Sequence, residues 1–307
     1  MPETDDRAAG QPADTDAPSS LVGRTRLRAT AAQAYAERLS RRAEEERGRH
    51  GSVDAVFEVV DRDLDAGGGI IAGAIAYRLF IWLLPFSLVL VAGLGIAADA
   101  SSESPRQAAG ELGLGGLVSS SISEAASSRG RWYALLIGIP ILVWATRSVL
   151  RVLIGAHRLV WADVRAEAPK PTLVASLRLL ALLLLHFVVT GVANYARASA
   201  EGPGVIVTVA AMVGYAGIWL LVSVRLPHRG ADWRALVPGA ILVGLGMEVL
   251  QVVTAYFLVP YAIAKQGTYG AIGGAAVLLL GLFLISRLIV SAAILNATLW
   301  ERRERAG

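Results

Sequence analysis

Six long apolar runs, at about 70 to 98, 132 to 155, 173 to 193, 204 to 224, 235 to 259 and 271 to 299, constrain this chain more than any other feature. A hydrocarbon core about 30 Å thick takes roughly 20 apolar residues in helical form, and each run is long enough. In lipid every backbone amide must be satisfied within its own structure, which for runs of this length means helices. The expected fold is therefore all-α and polytopic, with six transmembrane helices. Composition agrees, because 54% of the residues are hydrophobic and only 18% charged, whereas soluble domains carry about a quarter charged residues.

The flanks have a different character. Residues 1–23 are rich in Pro, Asp, Ala and Ser with little to bury, the composition of a disordered tail. They lack a basic start followed by an apolar stretch, so the first internal span is expected to direct insertion. Residues 24–66 read as cytoplasmic charged and amphipathic helices, with ten arginines between Arg7 and Arg62. Within them Val53, Val56, Phe57, Val60 and Leu64 recur at helical spacing, while Asp54, Glu58, Asp61 and Asp65 lie on other faces. That pattern predicts an amphipathic interfacial helix ending at Gly67, Gly68 and Gly69. The transmembrane domain is expected over residues 67–300, with a short tail at 301–307. Asn194 to Pro203 and Pro260 to Gly270 read as hairpin connections, and Asp99 to Gly130 as a longer Ser- and Gly-rich one.

Orientation follows from where basic residues accumulate. The N-terminal region, Arg158, Arg165 and Lys170, Arg225, Arg229 and Arg234, and Arg302, Arg303 and Arg305 all fall on one side. The other side holds only Arg106, Arg129, Arg131, Arg197 and Lys265. Both termini are expected in the cytoplasm. Trp161, Trp233 and Trp300 stand near the basic ends, where interfacial anchors belong.

Ionisable side chains within the spans are costly in lipid and so mark candidate sites. Counted from the basic boundary, His186, Glu248 and Arg287 lie at a shared depth of about 20 Å along their helices, and Gln251 is one turn from Glu248. One intramembrane polar site of His186, Glu248, Gln251 and Arg287 is expected. The alternative is a structural ion pair with His186 elsewhere in the core. A second basic layer comprises Arg78, Arg147, Arg151 and Arg178. These arginines are expected to contact anionic lipid, by snorkelling to headgroups or through a dedicated phosphate pocket. Pro85 and Pro140 fall inside spans, where each removes a backbone donor and kinks the helix. Gly69 with Gly73, and Gly270 with Gly274, provide the small-xxx-small spacing of close helix packing, within the chain or in a homo-oligomer.

Three segments carry a family resemblance: AIAYRLFIWLLPFSLVL from Ala74, WRALVPGAILVGLGMEVLQ from Trp233 and TYGAIGGAAVLLLGLFLISRLIVSAAILNA from Thr268. In this order they resemble the YihY/BrkB family of bacterial inner-membrane proteins, over roughly Phe57 to Trp300. The matching positions are Ala76, Tyr77 and Pro85 in the first span, Pro238, Gly239, Ala240 and Glu248 in the fifth, and Tyr269, Gly270 and Asn296 in the last. Two positions depart from the pattern: Arg78 stands where the family often has an aromatic residue, and Ile294 where it has an acid. The resemblance implies six helices in the bacterial plasma membrane and a role in cell-envelope integrity, with lipid handling or transport as the activity. A non-transporting scaffold is the alternative.

The family has also been labelled a ribonuclease, but the residues offer no such chemistry. The histidines, His50, His157, His186 and His228, form no metal-ligand motif. The absence of cysteine excludes thiolate catalysis, disulfides and Cys-ligated metal. No Walker A loop is present, so no use of ATP is expected. No catalytic residue, metal, cofactor or nucleic-acid partner is expected, and membrane lipids, anionic ones in particular, are the expected partners. A cavity reaching Glu248 and Arg287 would favour transport, and a sealed core a scaffold.

Overall fold

A computed structural model describes residues 51–101, 128–162, 171–199 and 204–306. The expectations for residues 1–50, 102–127 and 163–170 lie outside the described residues. Residues 58–307 form one compact unit. Among the described residues there is no strand, and six helices are long and apolar enough to cross a membrane.

The first helix, α1, spans Gly51–Asp65. Six long helices follow: α2 Gly68–Ser101, α3 Ser128–Val160, α4 Leu173–Ser199, α5 Gly204–Ser223, α6 Val237–Val253 and α7 Val259–Ala306. A 3-10 turn, Trp233–Leu236, leads into α6, and a π turn, Thr254–Leu258, joins α6 to α7. Several helices outrun their apolar cores, because the edge of the hydrocarbon does not by itself end a helix. Thus α4 continues through Asn194, Tyr195 and Arg197, and residues 260–270, expected as a connection, are helical within α7.

Chain order is also the order around the bundle. Helix α2 packs on α3, α3 on α4, α4 on α5, α5 on α6 and α6 on α7, and α7 returns to α2 and closes the ring. Antiparallel register is visible where a Trp82 Nε1 hydrogen bond to Thr146 Oγ1, 2.8 Å long, ties α2 to α3. In the core beside it, Trp82, Phe86 and Phe187 stack, with centroid separations of 4.8 and 4.7 Å for the two closest pairs. On the other side, buried Asn296 of α7 accepts from the Gly239 amide at 2.7 Å and donates to Leu236 O at 3.2 Å. The first-turn amides of a helix have no partner in their own helix, so Asn296 satisfies one at the start of α6. This explains physically why the Pro-Gly-Ala at 238–240 and the terminal Asn belong to one pattern. Ile294, which departs from the acid of the resembled pattern, is fully buried in the apolar core.

Helix α1 is fastened by its polar face. It stops at Gly67, whose φ of +65° is the left-handed conformation a helix C-cap favours. Gly68 then lies so close to the Asp63 carboxylate and to Arg287 Nη1 that a side chain there would clash. Arg62 donates to Glu301 at 2.6 and 2.8 Å and to the Val160 carbonyl at 2.9 and 3.2 Å. A cation is thereby set on the negative C-terminal end of α3. Glu58 accepts from Arg302 at 2.8 Å and from Arg305. The apolar residues Val56, Val60 and Leu64 are exposed instead.

Candidate intramembrane polar site

Arg197, near the end of α4, projects toward α6. Its Nη2 donates to both carboxylate oxygens of Glu248, each at 2.9 Å, and its Nη1 donates to Gln251 Oε1 at 2.8 Å and to Asn194 Oδ1 at 3.3 Å. The pair is mostly shielded, with side-chain exposures of 26% for Arg197 and 14% for Glu248. An Arg–carboxylate pair of this kind is the strong form of hydrogen bond, and in lipid each charge would otherwise be stranded.

From Gln251 the network turns inward. Gln251 Nε2 donates to the Tyr215 hydroxyl at 2.5 Å, and Tyr215 lies 3.0 Å from Thr190 Oγ1. Thr190 donates its single hydroxyl proton to the His186 carbonyl at 2.9 Å. The Tyr215 proton must therefore go to Thr190 Oγ1, which gives the whole chain one direction. The His186 ring packs against Tyr215 at 4.9 Å, tilted by 42°, and meets Phe187 edge on at 6.1 Å.

Of the four residues expected to form one site, the structure brings Glu248 and Gln251 together directly and adds His186 through Tyr215 and Thr190. Arg287 is a correction to that expectation. It binds Asp63 of α1 through two hydrogen bonds of 2.7 and 2.6 Å and takes no part in the Glu248 network. Depth along a helix says nothing about which side the residue faces, and Arg287 faces α1. The arginine that neutralises Glu248 is Arg197, assigned from its position beyond the apolar run to the far surface. Its long side chain reaches back into the bundle, as such chains do.

The second layer is arranged differently. Arg78, Arg147, Arg151 and Arg178 are all exposed on the outer surface of the bundle, on α2, α3 and α4. No carboxylate among the described residues pairs with them; Arg78 lies 5.9 Å from the ring of its neighbour Tyr77. Pro85 and Pro140 are inside α2 and α3, and Pro85 helps line an apolar groove between those helices.

A second, open cavity lies at the basic end, lined by Leu226, Pro227, His228, Arg229, Gly230, Trp300 and Glu304. Arg229 stacks over Trp300 at 5.4 Å and lies 3.6 Å from Glu301. Neither cavity is lined by Arg197, Glu248, Gln251 or Arg287.

The family described as Virulence factor BrkB matches residues 59–307. Neither a curated protein nor a solved structure matches the chain.

Proposed function

This chain belongs to the BrkB virulence factor family, and from that premise we propose that it is a lipid-handling protein of the bacterial plasma membrane. In this reading both termini lie in the cytoplasm, the partners are anionic membrane lipids, and no covalent chemistry is performed. The observation that carries it is a division of charge. The cationic and anionic groups inside the bundle satisfy one another, whereas four arginines on the lipid-facing surface have no carboxylate partner among the described residues. A surface of that kind matches phosphate headgroups better than a hydrated solute in a central channel.

The test is reconstitution in vesicles containing fluorescent phosphatidylglycerol or phosphatidylcholine. Retention and transbilayer movement favouring phosphatidylglycerol are expected, and equal behaviour of the two lipids would overturn the reading. A scaffold without transport is the second reading, favoured by the Arg197–Glu248 network being closed on itself with neither cavity lined by it. Preferential retention with no movement selects it.

A further inference from the structure

We propose that the α2–α3 groove is a built site for one anionic phospholipid, with the acyl chain in the groove and the phosphate held by Arg78, Arg151 and Arg147. The proposal rests on the lipid-handling reading and narrows it to one place on the surface.

The groove, about 340 Å³ in volume, is lined by Ile81, Leu84, Pro85 and Leu88 of α2 and by Ile141, Trp144 and Ala145 of α3. Its lining is almost wholly apolar, and ligand sites begin at about 300 Å³. Residues three, four and seven apart share a helix face. Arg78 is therefore in line with Ile81 and Pro85, and Arg147 and Arg151 are in line with Trp144. The Trp82–Thr146 hydrogen bond sets the register. It places Arg78, one turn nearer the start of α2, level with Leu150, one residue from Arg151 along α3 and within a turn of Arg147. All three arginines stand on the side of the groove toward the start of α2 and the end of α3. The groove runs from them toward the opposite end of the bundle. Its far end narrows where α3 comes close to α2 at Gly138, whose Cβ, were there one, would stand 2.8 Å from Val89.

Cationic side chains toward one end of an open apolar groove have the polarity of a phospholipid lying along the helices. Lipid tails are as apolar as leucine, so the groove itself gives no preference among headgroups. Selectivity must come from the guanidinium groups, which bind phosphate through paired N–H donors. A zwitterionic headgroup brings a cation to the same place and loses that advantage. These arginines are exposed and have no carboxylate partner among the described residues, so none of those residues has to be displaced as a counter-ion.

The experiment is native mass spectrometry of the full chain, released from micelles doped with equal phosphatidylglycerol and phosphatidylcholine. The wild-type chain is expected to retain phosphatidylglycerol preferentially. Arg78→Gln and Arg151→Gln should each cut that preference about fivefold, the effect of one cation at an anionic lipid surface, while Arg78→Lys, which keeps the charge but not the paired donors, should fall between Arg78→Gln and the wild type. Arg234→Gln, an exposed arginine beside Trp233 ahead of α6 and outside the four-arginine layer, should leave it unchanged. Ile141→Trp, filling the groove, should lower retention of both lipids. If Arg234→Gln matches Arg78→Gln, or if Ile141→Trp changes nothing, the groove site is overturned while the wider lipid reading stands. If the wild-type chain retains both lipids equally, the lipid reading falls as well.

Discussion

Two sets of ion pairs hold this molecule together, and they differ in their solvent more than in their geometry. At the basic end, α1 is joined to α7 by Arg62 with Glu301 and by Arg302 and Arg305 with Glu58. Inside the bundle, α4 is joined to α6 by Arg197 with Glu248. The distances overlap, at 2.6 and 2.8 Å for Arg62–Glu301 and Arg302–Glu58 and 2.9 Å for Arg197–Glu248. The first set lies at the basic end, which the spans place outside the hydrocarbon, and ion pairs that water can reach are worth about 0 to 1 kcal/mol. Hydrocarbon offers the second set nothing, so loss of one partner leaves a charge that costs several kcal/mol to keep. The interior pair should act as a condition of folding, and the end pairs as adjustable fasteners.

Glu248→Ala should have the largest effect, about 3 to 5 kcal/mol of stability in detergent unfolding, because Arg197 is left uncompensated. Replacing both at once, Arg197→Met with Glu248→Leu, should recover most of the loss. A double variant as unstable as the single one would break the comparison, since the charge would then not be the cause.

A buried contact without charge ranks between the two sets. Asn296→Ala strands the Gly239 amide and should cost about 1 to 3 kcal/mol, read by the same unfolding titration.

Glu301→Gln should cost no more than about 1 kcal/mol, and salt should reduce the wild-type advantage toward zero. A large, salt-independent loss would move this pair into the interior class.

The smallest expected effect is a pH dependence. Burial pushes the Glu58 carboxyl up, but hydrogen bonds from Arg305 and Arg302, and then their charges, outweigh it and hold it below the ordinary 4.5. A carboxyl whose pKa is lower in the folded state gives its full stabilisation above its ordinary value. That stabilisation is lost as pH falls through the folded value. Protection of the α1 amides, with intrinsic exchange divided out, should therefore hold at neutral pH and fall only below about 4.5, and Glu58→Gln should flatten the acid response.

Much of this was legible in the sequence, and the parts that were not share a cause. Six spans follow from run length, because lipid imposes a minimum that can be counted. Glu248 with Gln251 was legible because one helical turn separates them. Helix ends were less so: α4 runs past its apolar core to carry Arg197, and no breaker before Gly202 and Pro203 signals a stop. Partners across the bundle were hidden for a further reason. Arg287 and Asp63 are 224 positions apart, and the angle at which each faces its neighbour depends on packing, not on local pattern. The polarity of α1 was legible as two faces. That its charged face would be the one against the protein follows only once α7 brings Glu301, Arg302 and Arg305 alongside.

The central claim is that intramembrane charge is divided between a closed α4–α6 network and a separate α1–α7 pair. Two double-mutant cycles on the full chain in lipid-containing micelles, one joining Glu248 to Arg197 and one joining Glu248 to Arg287, test it most directly. A coupling of about 3 kcal/mol or more in the first, as recovery in the double variant requires, and additivity within about 0.5 kcal/mol in the second is the result this account predicts. Coupling between Glu248 and Arg287, with Arg197 additive, would contradict it.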